Sequence, residues 1–202
     1  MVLYIASSAS FGQAYEELLK AVEDGHTKSV ERLLDRGLDP NTADPKGNTI
    51  LMMAARLGHR ELVALLIKRK ASVTKRSPFG DTALMMASLR GDLEIARLLV
   101  ENGAEVSHRG WAPIHYAAFE NRAEIIRYLI AKGADKDALA PNGYSALMLA
   151  ARGGHVEAAK GLLYEDADVR VKGPKGETAL SIARQRGMSD FVDLLKRAGA
   201  VE

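Results

Sequence analysis

Five histidines, His26, His59, His108, His115 and His155, are the side chains best suited to hold a metal or to move protons near neutral pH. A site on one helix face needs a second ligand four residues away, and none of the five has a His or carboxylate at that spacing. The sequence has no cysteine, which removes disulfides, thiolate nucleophiles and Cys-bound zinc together. Serines and aspartates are plentiful, but no Gly-x-Ser-x-Gly elbow offers a nucleophile to a histidine. No Gly-x-x-x-x-Gly-Lys-Ser/Thr loop is present to cradle phosphates. The pairs Met52-Met53 and Met85-Met86 could bind a soft metal, but they recur at equivalent places in a repeating pattern and read as core. We therefore expect no catalytic residue, no metal, no cofactor and no small-molecule substrate.

What would position such residues is a repeat. Gly47, Gly80, Gly110, Gly143 and Gly176 form one series, with a near-constant interval broken by one short step before Gly110. Gly25, Gly58, Gly91, Gly154 and Gly187 form a second, with Asn121 in the empty place. Gly37, Gly103, Gly133 and Gly199 form a third, completed by Lys70 and Asp166. Glycine and asparagine tolerate positive φ, so each series marks a turn or a helix end. Between the marks, apolar residues recur at helical spacing. One helix carries Leu51/Ala54/Ala55, Leu84/Ala87, Ile114/Ala117/Ala118, Leu147/Ala150/Ala151 and Leu180/Ala183. The next carries Leu33/Leu34, Leu66/Ile67, Leu98/Leu99, Leu129/Ile130, Leu162/Leu163 and Leu194/Leu195. Small alanines facing large leucines allow close approach, and one such unit cannot bury its apolar face alone.

Asp44-Pro-Lys-Gly-Asn-Thr-Ile-Leu-Met-Met-Ala-Ala-Arg-Leu-Gly-His59 and Gly110-Trp-Ala-Pro-Ile-His-Tyr-Ala-Ala118 carry a resemblance to the ankyrin-repeat family. The likeness runs from about Ala14 to Ala200. It implies an all-α solenoid of about six helix-turn-helix units joined by β-hairpin loops, with polar capping units at both ends. The units fall at about 14–43, 44–76, 77–107, 108–139, 140–172 and 173–202, in a single domain over 15–202. The family's Thr-Pro-Leu-His histidine appears only as His115; Met52, Met85, Met148 and Ser181 replace it elsewhere. The resemblance makes the post-glycine residues His26, His59 and His155 structural. A closer likeness, carried by Gly110–Ala118 and by Gln13-Ala14-Tyr15, is to small single-domain bacterial ankyrin proteins with an export signal.

The family implies a partner protein held on a concave face of hairpin tips and first-helix ends. In this sequence those positions include Lys46, Arg56, Phe79, Asp81, Leu89, Arg90, Trp111, Phe119, Glu120, Tyr144 and Arg152. Four of the chain's few aromatics, Phe79, Trp111, Phe119 and Tyr144, fall there, and Trp, Tyr and Arg dominate interface energetics. Arg56, Arg90, Arg152 and Lys172 suit carboxylates. The loop Ser107–Arg109 is three residues short, which predicts a cut-back hairpin and a notch beside Trp111.

Charge agrees with a protein partner. Lys and Arg total 28 against 26 Asp and Glu, a net of +2, which is no basic footprint for nucleic acid. No run of about 20 apolar residues is present to span a membrane. We expect a monomeric interaction module. A regulatory or inhibitory subunit docked on an enzyme is the alternative, and nucleic-acid binding through concave arginines is disfavoured by Asp81, Glu120 and Glu177 among them. Residues 1–14 carry no charge and resemble the end of a secretory signal without its basic start. This points to an uncharged leader, disordered or a signal remnant, and to an exported, periplasmic protein, with a cytoplasmic one as the alternative.

Overall fold

The computed structural model describes residues 8–201, and side chains from residue 12. Twelve α-helices make up the secondary structure of the described residues. They pair as α1 (Ser8–Glu23) with α2 (Thr27–Asp35), α3 (Ile50–Leu57) with α4 (Arg60–Lys68), and α5 (Ala83–Arg90) with α6 (Leu93–Glu101). The remaining pairs are α7 (Pro113–Phe119) with α8 (Ala123–Ala131), α9 (Ala146–Gly153) with α10 (Val156–Tyr164), and α11 (Ala179–Gln185) with α12 (Ser189–Arg197). The first half of the uncharged leader lies outside the described residues. Its remainder belongs to α1, where Ala14 is buried.

The described chain falls into two compact units, one ending at Ala83 and one beginning at Leu84. In the first, two helix pairs stack, with α1 against α3 and α2 against α4. In the second, α7, α9 and α11 stack as one row, and α6, α8 and α10 as another. The alternation of small and large apolar residues explains both rows. Ala54, Ala55, Ala117, Ala118, Ala150 and Ala151 are fully buried, and so are Leu66, Leu99, Leu129 and Leu162 from the following helices. At the ends of the chain, Glu16 and Lys20 of α1 and Arg184, Lys196 and Arg197 of the last pair are exposed. Charge on those outer faces caps the stacks.

Between pairs the chain makes short hairpins. At 44–47 the Gly47 N–H donates to the Asp44 carbonyl at 2.9 Å, and Asp44 N–H donates to the Asn48 carbonyl at 2.9 Å. One-residue bridges join Ala43 to Thr49 and Leu139 to Ser145, so the hairpins never lengthen into strands. The same two bonds recur at Ser77–Asp81, Ala140–Tyr144 and Gly173–Glu177. The segment 104–112 has neither bridge nor hydrogen-bonded turn. The sequence predicts a shortened hairpin here; with three residues fewer than its counterparts, the segment forms no hydrogen-bonded turn at all.

Most polar links between neighbouring repeats join a side chain to a main chain. His59 Nε2 lies 3.0 Å from the Glu23 carbonyl. Arg122, in the equivalent place, donates Nε to the Leu89 carbonyl at 3.2 Å. Asn121 Oδ1 accepts from the Ala158 N–H at 2.9 Å, Asn41 Oδ1 from Ser72 N–H, and Asp137 Oδ1 from Asp168 N–H. His59 and Arg122 thus each couple to a main-chain carbonyl of the preceding repeat, one as a histidine and one as an arginine. In the first unit, Arg69 adds ion pairs to Glu31, at 2.9 Å, and to Asp35.

Candidate functional site: the hairpin tips and first-helix ends

The first helices begin on a common device. Thr49, Ser145 and Thr178 are N-caps whose hydroxyls accept from the N–H three residues on. In return, Met52 Sδ lies 3.4 Å from the Thr49 nitrogen, so the thioether also serves as an acceptor and is more than packing. Ser181 Oγ does the same for Thr178 N–H at 2.9 Å. In α7 the cap is Ala112, which has no hydroxyl, so the His115 N–H donates to the Ala112 carbonyl at 3.0 Å, and the His115 ring makes the reciprocal bond. Its Nδ1 accepts from Ala112 N–H at 3.0 Å, which leaves Nε2 as the protonated nitrogen donating to the Ala138 carbonyl at 2.9 Å. The ring is fully buried, and that burial lowers its pKa below the usual imidazole value. His115 is a neutral strut, and both nitrogens are used.

Trp111 precedes this cap and is half-buried. Its ring meets His115 edge-on at 5.8 Å and Tyr116 at 5.9 Å. One flank is therefore fixed by the fold, while the remainder reaches solvent. At the other end of α7, Phe119 is 56% exposed. Glu120 beside it is half-buried, with a carboxylate oxygen 3.9 Å from Arg122 Nη2. Leu89 is half-buried and Arg90 exposed at the end of α5.

Tyr144 and Arg152 are brought together. The Arg152 guanidinium lies over the Tyr144 ring, 5.2 Å from its centroid. The Tyr144 hydroxyl donates to Glu177 Oε1 at 2.7 Å. That bond raises the tyrosine pKa and lowers the Glu177 carboxyl, since it favours phenol and carboxylate over their partners' other forms. The sequence places Tyr144 among partner contacts; the structure shows its hydroxyl occupied within the chain. Trp111 and Tyr144 hold separate local contacts, so the aromatics of the second unit do not form one stacked cluster.

In the first unit, Lys46 is exposed at one hairpin tip and Phe79, at 79% exposure, caps the next. Asp81 is half-buried, and its N–H donates to Ser77 Oγ at 3.2 Å. Arg56 is exposed at the end of α3. Sequence reasoning missed Tyr116 as a neighbour of Trp111 and Arg122 as a coupler. The signal for Arg122 was its position just after Asn121, where other repeats carry His.

A family model described as ankyrin repeats (3 copies) matches residues 18–109, 69–140 and 114–201. The chain belongs to the ankyrin-repeat family. Among solved structures, it is similar to the human ASB11 ankyrin-repeat domain, with a TM-score of 0.84 at 25% identity over 91% of this chain and 84% of that one. It is also similar to the ankyrin-repeat domain of Bcl-3, described as a unique member of the IkappaB protein family. That match has a TM-score of 0.79 at 27% identity over 92% and 86% of the two chains. A search of curated proteins gives no match. A protein-binding role is consistent with this membership, and nothing positive points to catalysis. Among the described residues, no three His or acidic side chains group as a metal site, and no helix is long and apolar enough to cross a membrane.

Proposed function

We propose that this chain is a scaffold that binds a partner protein through its hairpin tips and the ends of its first helices. The observation that carries the reading is Phe119, a large aromatic left 56% exposed at the end of a helix whose aliphatic residues are buried. Half-buried Trp111 on the same helix approach, and Arg90 and Arg152 on neighbouring first helices, supply the residue types that dominate protein interfaces. Leu89 and Glu120 extend the contact set on the second unit, Lys46, Arg56, Phe79 and Asp81 hold the corresponding places on the first, and Tyr144 supports Arg152 from beneath. The protein acts as a monomer.

The test is capture of partners from the native source by the full chain, followed by calorimetry of the purified partner against variants. Trp111→Ala and Phe119→Ala each cost about 2 kcal/mol of binding while the circular dichroism of the fold is unchanged. Undiminished binding by both variants refutes the site. If the captured partner is an enzyme whose activity changes on binding, the regulatory-subunit reading replaces the passive scaffold. We also propose export, on the strength of the uncharged start of the sequence. Recovery of the native protein solely in the cytoplasmic fraction overturns that.

A further inference from the structure

The arrangement around Arg152 says what its partner presents. A guanidinium held over an aromatic face spends none of its five N–H donors. Among the described residues Arg152 has no carboxylate partner, and its only described contact is the Tyr144 ring. The nearby acid is committed elsewhere: Glu177 Oε1 accepts from the Tyr144 hydroxyl at 2.7 Å and Oε2 from the Lys175 N–H at 2.8 Å. A chain of contacts thus runs from the 173–176 hairpin through Glu177 and Tyr144 to the arginine. Each link fixes the next, and the last presents a planar fork suited to a carboxylate. Gly173 makes the packing possible, because a Cβ there would fall 2.9 Å from Glu177 Cδ and 3.1 Å from Tyr144 Cε1.

Position adds a second requirement. Phe119 lies two residues before Asn121, and Arg152 two before Gly154; Asn121 and Gly154 are the equivalent turn residues, with φ of 58° and 71°. The two side chains therefore hold the same place on consecutive repeats, on the directly packed helices α7 and α9. Axes of packed helices are about 8–10 Å apart. An extended chain covers that distance in about three residues and a helix in about five to seven, of which seven returns to the same helix face.

We infer that the partner is a peptide segment presenting an Asp or Glu carboxylate to Arg152 and a large apolar side chain to Phe119. In sequence the two lie three residues apart if the segment is extended, seven if it is helical. This rests on the proposed binding face and adds its chemistry. Tyr144 and Glu177 are positioning residues for the arginine.

The experiment pans the full chain against a phage-displayed random 12-residue peptide library, then measures the enriched peptides by fluorescence anisotropy. The expected peptides carry an acid at one of those spacings from an aromatic or large aliphatic residue. Their binding falls about tenfold or more with Arg152→Ala, and equally when the peptide acid becomes its amide. Gly173→Ala, which touches no peptide but displaces the Tyr144–Glu177 link, lowers affinity several-fold with helicity and Trp111 fluorescence intact. Tyr144→Phe keeps the ring and loses the anchor, so its effect is smaller than that of Arg152→Ala.

Peptides that depend on Phe119 but lack an acid and ignore Arg152→Ala overturn the carboxylate reading and leave the scaffold reading standing. Peptides indifferent to both Phe119→Ala and Arg152→Ala, or no enrichment at all, overturn both. Tight binding of a 12-nucleotide single-stranded oligonucleotide, lost on Arg152→Ala and steeply salt-dependent, also overturns the proposal in favour of phosphate.

Discussion

Replacing His115 with methionine tests whether the buried imidazole works as a two-ended strut. Three other repeats carry methionine at this place, and Met52 Sδ stands 3.4 Å from its N-cap nitrogen. Methionine at 115 therefore keeps an acceptor, though a weak one, for the buried Ala112 N–H. What it cannot replace is the Nε2–H bond to the Ala138 carbonyl, 23 residues ahead. Ala138 is only half-buried, so its carbonyl finds water. The loss is then near the low end for a hydrogen bond, about 1 kcal/mol at neutral pH. His115→Ala removes both bonds, strands Ala112 N–H in the core and leaves a cavity, for roughly 3 kcal/mol or more.

The same strut gives a pH signature. Burial depresses the folded-state pKa of His115; the Asp135 charge opposes this and that of His108 reinforces it. The unfolded chain, with its imidazole near 6.5, therefore takes up the proton first. Stability from this site is complete above about pH 6.5 and is lost as pH falls toward the depressed folded value, by at most about 1.4 kcal/mol per pH unit. The methionine variant has no such proton to take up, so histidine's advantage over methionine narrows as the pH falls below 6.5. Urea unfolding of wild type and His115→Met, followed by circular dichroism and by the single tryptophan, Trp111, measures both effects. A gap between the two proteins that is constant with pH, or a methionine variant more stable at neutral pH, refutes the reasoning.

Other perturbations follow from backbone geometry. Lys70 and Asp166 sit at φ of 65° and 59°, where other repeats have glycine. Lys70→Gly relieves left-handed strain of about 1–2 kcal/mol and gives back part of it as chain entropy, so a net gain of about 0.5–1 kcal/mol in chemical denaturation is expected. A gain of zero or less contradicts it. Gly47 lies at φ 81° with the Pro78 ring stacked where a Cβ would go. Gly47→Ala therefore adds a clash to the strain and lowers stability by at least about 1 kcal/mol, read as a fall in the urea midpoint.

The helical repeat was legible because glycine spacing and the Ala/Leu alternation are properties of each unit's own residues. The twelve helices lie between the marks those glycines set. The side-chain economy of the site was not legible, since it depends on distances between repeats. Tyr144 reads as a free aromatic until Glu177, 33 residues on, is seen to accept its hydroxyl. The methionines read as packing until Met52 Sδ is found facing an N–H. His115 stood out as the lone imidazole in its series, but its bond to the Ala138 carbonyl, 23 residues on, is visible only once the fold brings the two together.

The side-chain-to-main-chain links between repeats carry a consequence for how such a sequence drifts. His59, Arg122, Asn41, Asn121 and Asp137 each address a peptide group of the next or previous repeat, and every sequence has peptide groups. A neighbour can change its side chains freely without breaking the joint, which is why histidine, arginine and methionine trade places along the chain. Tyr144–Glu177 and Arg69 with Glu31 and Asp35 are different, because each needs its counterpart's side chain. Those few pairs are where substitutions must arrive together, and they mark the repeats that have lost their interchangeability.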